Sequence, residues 1–358
     1  MSTPRRVIRD PEGLNTGSWP VPPQDFITPV DRFFTRTHAA VPVIDPDSWR
    51  LEIGGLVEHA RSYSLAELTS GFTRRTVAAT LVCAGLRRDE FLELGPMPGE
   101  LPWGPEPASA GEWTGVALGD LLQAIGVRRE ARHVELIGLD QVERHGRQFG
   151  FGGSIDLVKA QSDEVLLATH LNGAPLPPAH GFPLRAVVPG WIGARSVKWL
   201  GRINLRKDPT DNYFQTQAYR LQREPNPRDL RDVSAGIALT EVPVNSVILH
   251  PEPNQLLPPG RTIVRGWAIG SAARLITRVE IAADDRGEWL PARILPQESA
   301  WTWAFWEAEL DLEPGQYTLC ARASDSSGAT QPPDVRDTWN VKGYVNNAWH
   351  RVPVRVER

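Results

Sequence analysis

The sequence predicts an α+β domain over residues 1–240 and an all-β sandwich over residues 241–358. Three observations carry that expectation. Up to about Leu205, short strands and short helices mix without the regular βαβ alternation of a doubly wound sheet. Beyond Val242 no helical period appears and residues alternate instead. Thr277, Val279 and Ile281 stand against Arg278 and Glu280, and Val352, Val354 and Val356 against Arg351, Pro353 and Arg355. Between the two patterns, residues 221–242 are charged and proline-bearing (Arg223-Glu224-Pro225-Asn226-Pro227-Arg228-Asp229), as an inter-domain connection should be. A chain of 358 residues is long enough for two domains, each with its own core.

Residues 1–45 are proline-rich, from Asp10-Pro11 through Val21-Pro22-Pro23, and the first 25 read as an extended segment draped over a surface. Trp49-Arg50-Leu51-Glu52-Ile53 alternates as a strand and turns at Gly54-Gly55. Ser64 and Glu67 form a capping box for a short helix. Residues 76–82 are apolar and β-favouring, and deliver Cys83 to a strand end. Leu118, Leu121, Leu122 and Ile125 follow the i, i+3, i+4, i+7 rule of an amphipathic helix that Gly126 ends. Residues 133–139 form another strand. Residues 155–160 have room for one or two helical turns. Residues 165–169 run as a strand into the hairpin signal Asn172-Gly173, and the return passes through His180 to residues 186–188. Pro189-Gly190 breaks it, and the next strand opens in Gly193-Ala194-Arg195-Ser196-Val197-Lys198-Trp199 and runs to about Leu205. In the second domain, turns recur at Asp284-Asp285-Arg286-Gly287, Glu313-Pro314-Gly315 and Asp325-Ser326-Ser327-Gly328, at the spacing of a sandwich. Seven of the thirteen Trp residues fall there, more than one core needs, so some are expected at an interface. Cys320, mid-strand, reads as core.

With 39 basic and 43 acidic residues the net charge is −4, so no global field favours nucleic acid or an anionic membrane. Lys occurs only at 159, 198, 207 and 342, which leaves Arg, the better bidentate partner of oxyanions, as the dominant cation. No run of 18 apolar residues exists to span a bilayer. The N-terminus has paired arginines but no hydrophobic segment after them. The expected compartment is therefore the cytoplasm as the sequence is written, or the periplasm if a signal has been removed. Two cysteines do not make a disulfide framework.

Thr80-Leu81-Val82-Cys83-Ala84-Gly85-Leu86-Arg87-Arg88 holds a soft donor at a strand end, followed by a glycine and two cations. Adjacent cations favour a thiolate, and thiolates suit soft metals. A buried structural cysteine with solvated arginines fits the same residues. A phosphate-binding glycine loop, zinc-ligand spacing and a Gly-x-Ser-x-Gly elbow are all absent.

Co-occurrence along the chain separates the two readings. Phe34-Thr35-Arg36-Thr37-His38, Cys83-Ala84-Gly85-Leu86-Arg87-Arg88, Gly138-Leu139-Asp140, His180-Gly181-Phe182-Pro183-Leu184-Arg185 and Gly193-Ala194-Arg195-Ser196-Val197-Lys198-Trp199-Leu200-Gly201 resemble, in order, the molybdopterin domain of the sulfite oxidase family. Gly343-Tyr344-Val345-Asn346-Asn347-Ala348-Trp349-His350-Arg351-Val352 resembles the end of that family's immunoglobulin-like dimerisation domain. The resemblance implies a molybdenum–molybdopterin cofactor with Cys83 as the single protein ligand of the metal. It implies that Phe34, Arg36, His38, Asp140, His180, Arg185, Ser196, Val197 and Lys198 hold the pterin and its phosphate. It further implies that Arg36, Arg88 and Arg351 converge on an oxyanion site beside Tyr219 and Trp103, with sulfite as substrate and sulfate as product. Arg87 keeps a structural role. Homodimerisation through the second domain is implied as well. With no haem-binding domain seen before residue 25, electrons are expected to leave to a separate carrier such as a c-type cytochrome. The chain departs from the family pattern at Thr37, Leu86 and Ala218, where the family often has Asn, Asn and Asp. Nitrate or another sulfur oxyanion is the alternative substrate, and a cofactor-free binding protein the alternative of another class.

Overall fold

The computed structural model describes residues 5–20, 26–222, 236–272, 274–284 and 287–358. The proline run at 21–23, the charged stretch at 223–229 and part of the expected turn at 284–287 lie outside them.

The first unit is built on two five-stranded sheets. One has the order Gly152–Asp156, His133–Gly138, Leu200–Arg206, Arg50–Gly55, Arg61–Ser64. Its pairings are antiparallel except that of Leu200–Arg206 with Arg50–Gly55, which is parallel. The other runs Ala174–Pro175, Leu166–Leu171, Ala108–Ala117, Arg74–Val82, and Arg185–Val187 pairs with Leu166–Leu171 as well. The sheets share a core in which Leu51, Ile53, Leu136, Leu167 and Ile203 meet helix Leu118–Ile125. That helix buries Leu118, Leu121, Leu122 and Ile125, each contributing about 1.5–3 kcal/mol by removal from water. Gly126 ends it at φ 71°, a conformation that favours glycine. The capping box of Leu65–Gly71 is complete, Ser64 Oγ accepting from Glu67 N at 3.2 Å and Glu67 Oε2 from Ser64 N at 2.8 Å. Asn172 and Gly173, at φ 52° and 78°, make the tight turn between Leu166–Leu171 and Ala174–Pro175.

One expected strand begins later than its sequence suggests. Residues 193–195 form a 3-10 turn, and the strand starts only at Leu200. The sequence alternates there, but its polar side chains are recruited inward. Arg195 donates to the carbonyls of Leu239 at 2.9 Å and Phe214 at 3.4 Å, and Ser196 Oγ accepts from Val188 N at 3.0 Å. These bonds hold the backbone in a loop that faces the cavity described below.

The second unit is an immunoglobulin-like sandwich. One sheet orders Asn245–His250, Gly260–Ile269, Ala304–Leu312, Arg293–Ile294; the other Gln255–Leu257, His350–Val356, Gly315–Asp325, Ile276–Ala282, Leu290–Pro291. Val264, Ile281, Trp306, Leu319 and Val352 fill the space between them. Cys320 lies fully buried in the middle of a strand, and both cysteines are free thiols.

The expected surplus of tryptophan goes to the seam between the units. Trp267 and Trp303 pack into a cluster with Val82, Ala84, Leu86, Phe214 and Tyr219 of the first unit. Trp303 N donates to Thr80 Oγ1 at 3.0 Å, and Thr80 N to Trp301 O at 2.9 Å. Arg87, fully buried, crosses the same seam to Asn245 Oδ1 and Ala348 O, both at 2.8 Å, and to Trp349 O at 3.1 Å. Its structural role stands. Among the described residues no helix is long and apolar enough to cross a membrane.

Candidate active site

Strand Arg74–Val82 ends where the chain turns into a cavity of the first unit, and Cys83 is the first residue past it. Its thiol is 7% exposed and accepts from Gly85 N at 3.4 Å. The cavity spans about 710 Å³ including its open mouth, a volume suited to a cofactor.

The motifs named from the sequence arrive at this cavity from separate parts of the chain. Phe34, Arg36, Thr37, His38, Asp140, His180, Arg185, Ser196, Lys198 and Tyr219 all line it with Cys83. Each cation on the wall is held by uncharged partners. Arg185 donates to His180 O at 2.9 Å and Ser196 O at 3.0 Å and lies over the Trp113 ring at 4.8 Å. Lys198 donates to Ala179 O at 2.9 Å and sits 4.3 Å from the centre of the Trp199 ring. Arg36 donates to Asn15 Oδ1 at 3.1 Å and to Thr37 O. Among the described residues Asp140 is the one carboxylate on the wall; its Oδ1 accepts from Phe151 N at 2.9 Å.

Burial and crowding of like charge disfavour positive charge here. Burial pushes Arg185 down to about 9. Burial, then Arg185, depress Lys198 well below the ordinary lysine range, with Asp140 opposing. His180 falls to about 3 through burial, Arg185 and Lys198. Burial raises Asp140. The field is that of a site short of negative charge.

His38 and Tyr219 form a directed pair. His38 is held neutral, chiefly by burial and next by Arg36. Arg36 Nη2 lies 3.3 Å from His38 Nδ1, which must accept because a guanidinium only donates. The neutral ring therefore carries its proton on Nε2 and gives it to Tyr219 Oη at 2.8 Å. Burial raises Tyr219 to about 12, so the phenol keeps its proton and is free to donate it into the cavity. Phe151 stacks on His38 at 5.3 Å and 11°, fixing the ring plane.

Other expected site residues sit elsewhere. Val197 is 1% exposed in the hydrophobic core between the sheets, so its side chain is not on the wall. Leu86 packs in the seam, in the cluster that includes Tyr219, and its side chain does not line the cavity. The three guanidiniums do not all converge: Arg36 and Arg88 both act on His38 and Tyr219, and Arg351 stands apart. Arg88 lies behind the wall against Gly85, where a Cβ would come within 2.9 Å of its guanidinium. Arg351 donates to Pro333 O at 2.8 Å and lies 5.6 Å from the Trp349 ring centre, within the second unit and off the cavity wall. In the extended strand His350–Val356 its side chain alternates away from the neighbouring buried Val352. The cation that the second unit does bring to Arg88 is Lys342, whose carbonyl accepts from Arg88 Nε at 2.9 Å. Glu100 joins them, 2.9 Å from Lys342 Nζ and 3.4 Å from Arg88 Nη2. Tyr344 connects this cluster to the cavity: its ring lies 5.2 Å from Arg88 and stacks on Tyr219 at 5.3 Å. Neither Glu100 nor Lys342 carries a sequence signal beyond its charge. Trp103 is fully buried in the cluster that contains Cys83, and its indole N–H has no partner among the described residues.

The donor set fits a molybdenum–pterin group on three counts. Among the described residues no group of three or more His, Cys, Asp or Glu side chains could hold a metal ion by itself, so a metal at Cys83 needs donors that a cofactor brings. The under-neutralised wall suits a phosphate. The hydroxyl of Thr37 is buried on the wall without a hydrogen-bond partner among the described residues, as a polar ligand would require.

Residues 38–214 match the family described as "oxidoreductase molybdopterin binding domain", and residues 237–357 match the "Mo-co oxidoreductase dimerisation domain". The chain is 38% identical to sulfite oxidase of Gallus gallus over 333 residues, covering 91% of this chain and 72% of that one. Mitochondrial sulfite oxidase of Rattus norvegicus is 36% identical, over 93% of this chain and 62% of its own length. Among solved structures, the sulfane dehydrogenase SoxCD from Paracoccus pantotrophus superposes with a TM-score of 0.77 at 27% identity, covering 93% of this chain and 84% of that one.

Proposed function

Because the chain belongs to the sulfite oxidase family of molybdopterin-binding oxidoreductases, we propose that it oxidises sulfite to sulfate and passes the electrons to a separate one-electron carrier, such as a c-type cytochrome. The observation that carries the proposal is one thiol, Cys83, at a cavity whose cations, the buried Arg185 and the half-buried Arg36 and Lys198, have carbonyl, amide and aromatic partners in place of carboxylates. Bound there, the molybdenum–pterin group supplies oxygen-atom transfer and a two-electron redox change.

The rest is done by the chain. Cys83 would hold the metal through its thiolate. Arg185, Lys198, Ser196 and His180 would take the pterin and its phosphate, with Asp140 and His38 on polar edges of the ring system. Arg36 would draw the anionic substrate inward, since cations in a water-poor cavity act more strongly than in water. Arg88 and Lys342 would do the same from behind Gly85, and Trp103 would offer its indole N–H. Tyr219 would donate its hydroxyl proton to a substrate oxygen and so orient it, while His38 Nε2–H holds that hydroxyl in place. The second domain would pair two copies into a homodimer.

Elemental analysis of the purified protein should find about one molybdenum per chain, with sulfite-dependent reduction of cytochrome c. Molybdenum without sulfite turnover, but with nitrate-dependent oxidation of a reduced dye, would move the assignment to nitrate. Protein free of molybdenum, from cells that make the cofactor, would favour a non-catalytic binding protein.

A further inference from the structure

Glu100 is 12% exposed and bridges two cations that come from different units. Its Oε1 lies 2.9 Å from Lys342 Nζ and its Oε2 3.4 Å from Arg88 Nη2. Arg88 itself is almost fully buried and makes its remaining bonds to carbonyls, Lys342 O and Gly343 O through Nε and Leu101 O through Nη1. Among the described residues Glu100 is thus the one carboxylate in an ion pair with either cation. The cluster abuts the cavity at two points: the Arg88 guanidinium rests on Gly85, two residues past Cys83, and Tyr344 links Arg88 to Tyr219 by stacking. An anion arriving from the Tyr219 side therefore meets cations that are already partnered.

We infer that Glu100 is a tethered counter-anion, a positioning residue that holds Arg88 and Lys342 while the site is empty and must give them up, at least in part, when a doubly charged oxyanion binds. The inference rests on the proposed oxidation of an anionic substrate. A resident carboxylate lowers the net charge of the cluster from +2 to +1, so it weakens the grip on a dianion. The effect applies to product as much as substrate. A sulfate dianion is released faster because the carboxylate returns to the cations it vacates. The carboxylate also keeps two cations from facing each other unpartnered in the empty enzyme.

The test uses molybdenum-loaded holoenzyme and sulfate as the probe. Calorimetric titration gives the sulfate Kd without turnover, and steady-state assays give KM and kcat for sulfite. In Glu100→Gln, which keeps shape and removes charge, the sulfate Kd and the sulfite KM should both fall by about tenfold, while kcat stays level or drops as product lingers. Glu100→Asp, whose carboxylate is drawn back and cannot span both cations, should bind sulfate more tightly than wild type and less tightly than the Gln variant. This second variant decides the matter if the first does not fold. Unchanged or weaker sulfate binding in the variants, in an enzyme whose wild type binds sulfate and oxidises sulfite, overturns the role of Glu100 alone. A wild-type holoenzyme that neither binds sulfate nor turns over sulfite overturns the functional reading, and this inference with it.

Discussion

The cavity wall and the seam between the units both bury cations, but they treat them in opposite ways. On the wall, Arg36, Arg185 and Lys198 face one carboxylate, Asp140, and make their hydrogen bonds to uncharged groups. In the seam, Arg87 meets Glu90 with both faces of its fork, at 2.6 and 2.8 Å, and Asn346 Nδ2 donates to Arg87 O and Glu90 Oε2, each at 2.9 Å. Adjacent residues divide between these regimes: Arg87 is closed into the seam, while Arg88 lies behind the cavity wall with Glu100 3.4 Å from its Nη2. Buried charge with its counter-charge built in is architecture. On the cavity wall, the missing counter-charge leaves room for an anionic guest.

That contrast can be broken by experiment. The largest effect is expected for Cys83→Ser, which should lower sulfite turnover by on the order of a thousandfold while the protein stays folded by circular dichroism, because the metal loses the one protein donor proposed for it. Retention of full molybdenum-dependent turnover would remove the metal from Cys83. Next comes the seam: Arg87→Ala should destabilise the chain by about 3–5 kcal/mol in urea unfolding, the cost of opening a buried ion pair, with normal molybdenum content in whatever remains folded. Lys198→Met should behave the other way round. Removing a cation that burial already disfavours should leave cofactor-free protein as stable or more stable, yet weaken cofactor retention about tenfold or more, read from molybdenum after dialysis. A variant that loses stability without losing cofactor would put Lys198 among the seam-like residues.

The smallest effect separates the regions by pH. His38, His180 and His350 all sit below the ordinary histidine value of about 6.5, through burial first and neighbouring arginines next. Above that pH they are neutral in both the folded and unfolded states. As pH falls through 6.5 the unfolded chain takes up protons that the folded chain refuses, for His180 down to about 3, so stability is lost on acidification across that window. Melting curves of cofactor-free protein should therefore drop by several degrees between about pH 7 and 5. Loading the anionic cofactor should shrink the part due to His38 and His180, which line the cavity. It should leave the part due to His350, whose Nδ1 accepts from Ile248 N at 3.0 Å in the sandwich. Equal slopes with and without cofactor would contradict the assignment of those two histidines to the wall.

Much of this was legible in the chain because its signals are local. A capping box, an i, i+3, i+4, i+7 stripe and an Asn-Gly turn depend on residues within one or two turns of each other, and each forms where it was expected. Most motif residues also reach one cavity, since strand ends such as Val82–Cys83 and Gly138–Asp140 present their last side chains at the same edge. Distances between segments were not legible. Arg351 stands in a motif that matches, but strand alternation and Trp349 decide where it points, whereas Lys342 reaches Arg88 from a turn with no periodic pattern. Residues 193–199 alternate like a strand, yet Arg195 and Ser196 find buried partners from residues 188, 214 and 239 that no local pattern announces.

The hydrogen bonds that join Thr80 with Trp301 and Trp303 set a timetable for the molecule's birth. Synthesis lays down the thiol-bearing strand more than two hundred residues before the tryptophans that grip it, and Arg87 waits still longer for Ala348 and Trp349. A nascent chain halted near residue 240 thus holds every cavity-lining residue but lacks the brace behind Cys83. The brace behind Cys83 is therefore completed only when residues 301–349 have been made.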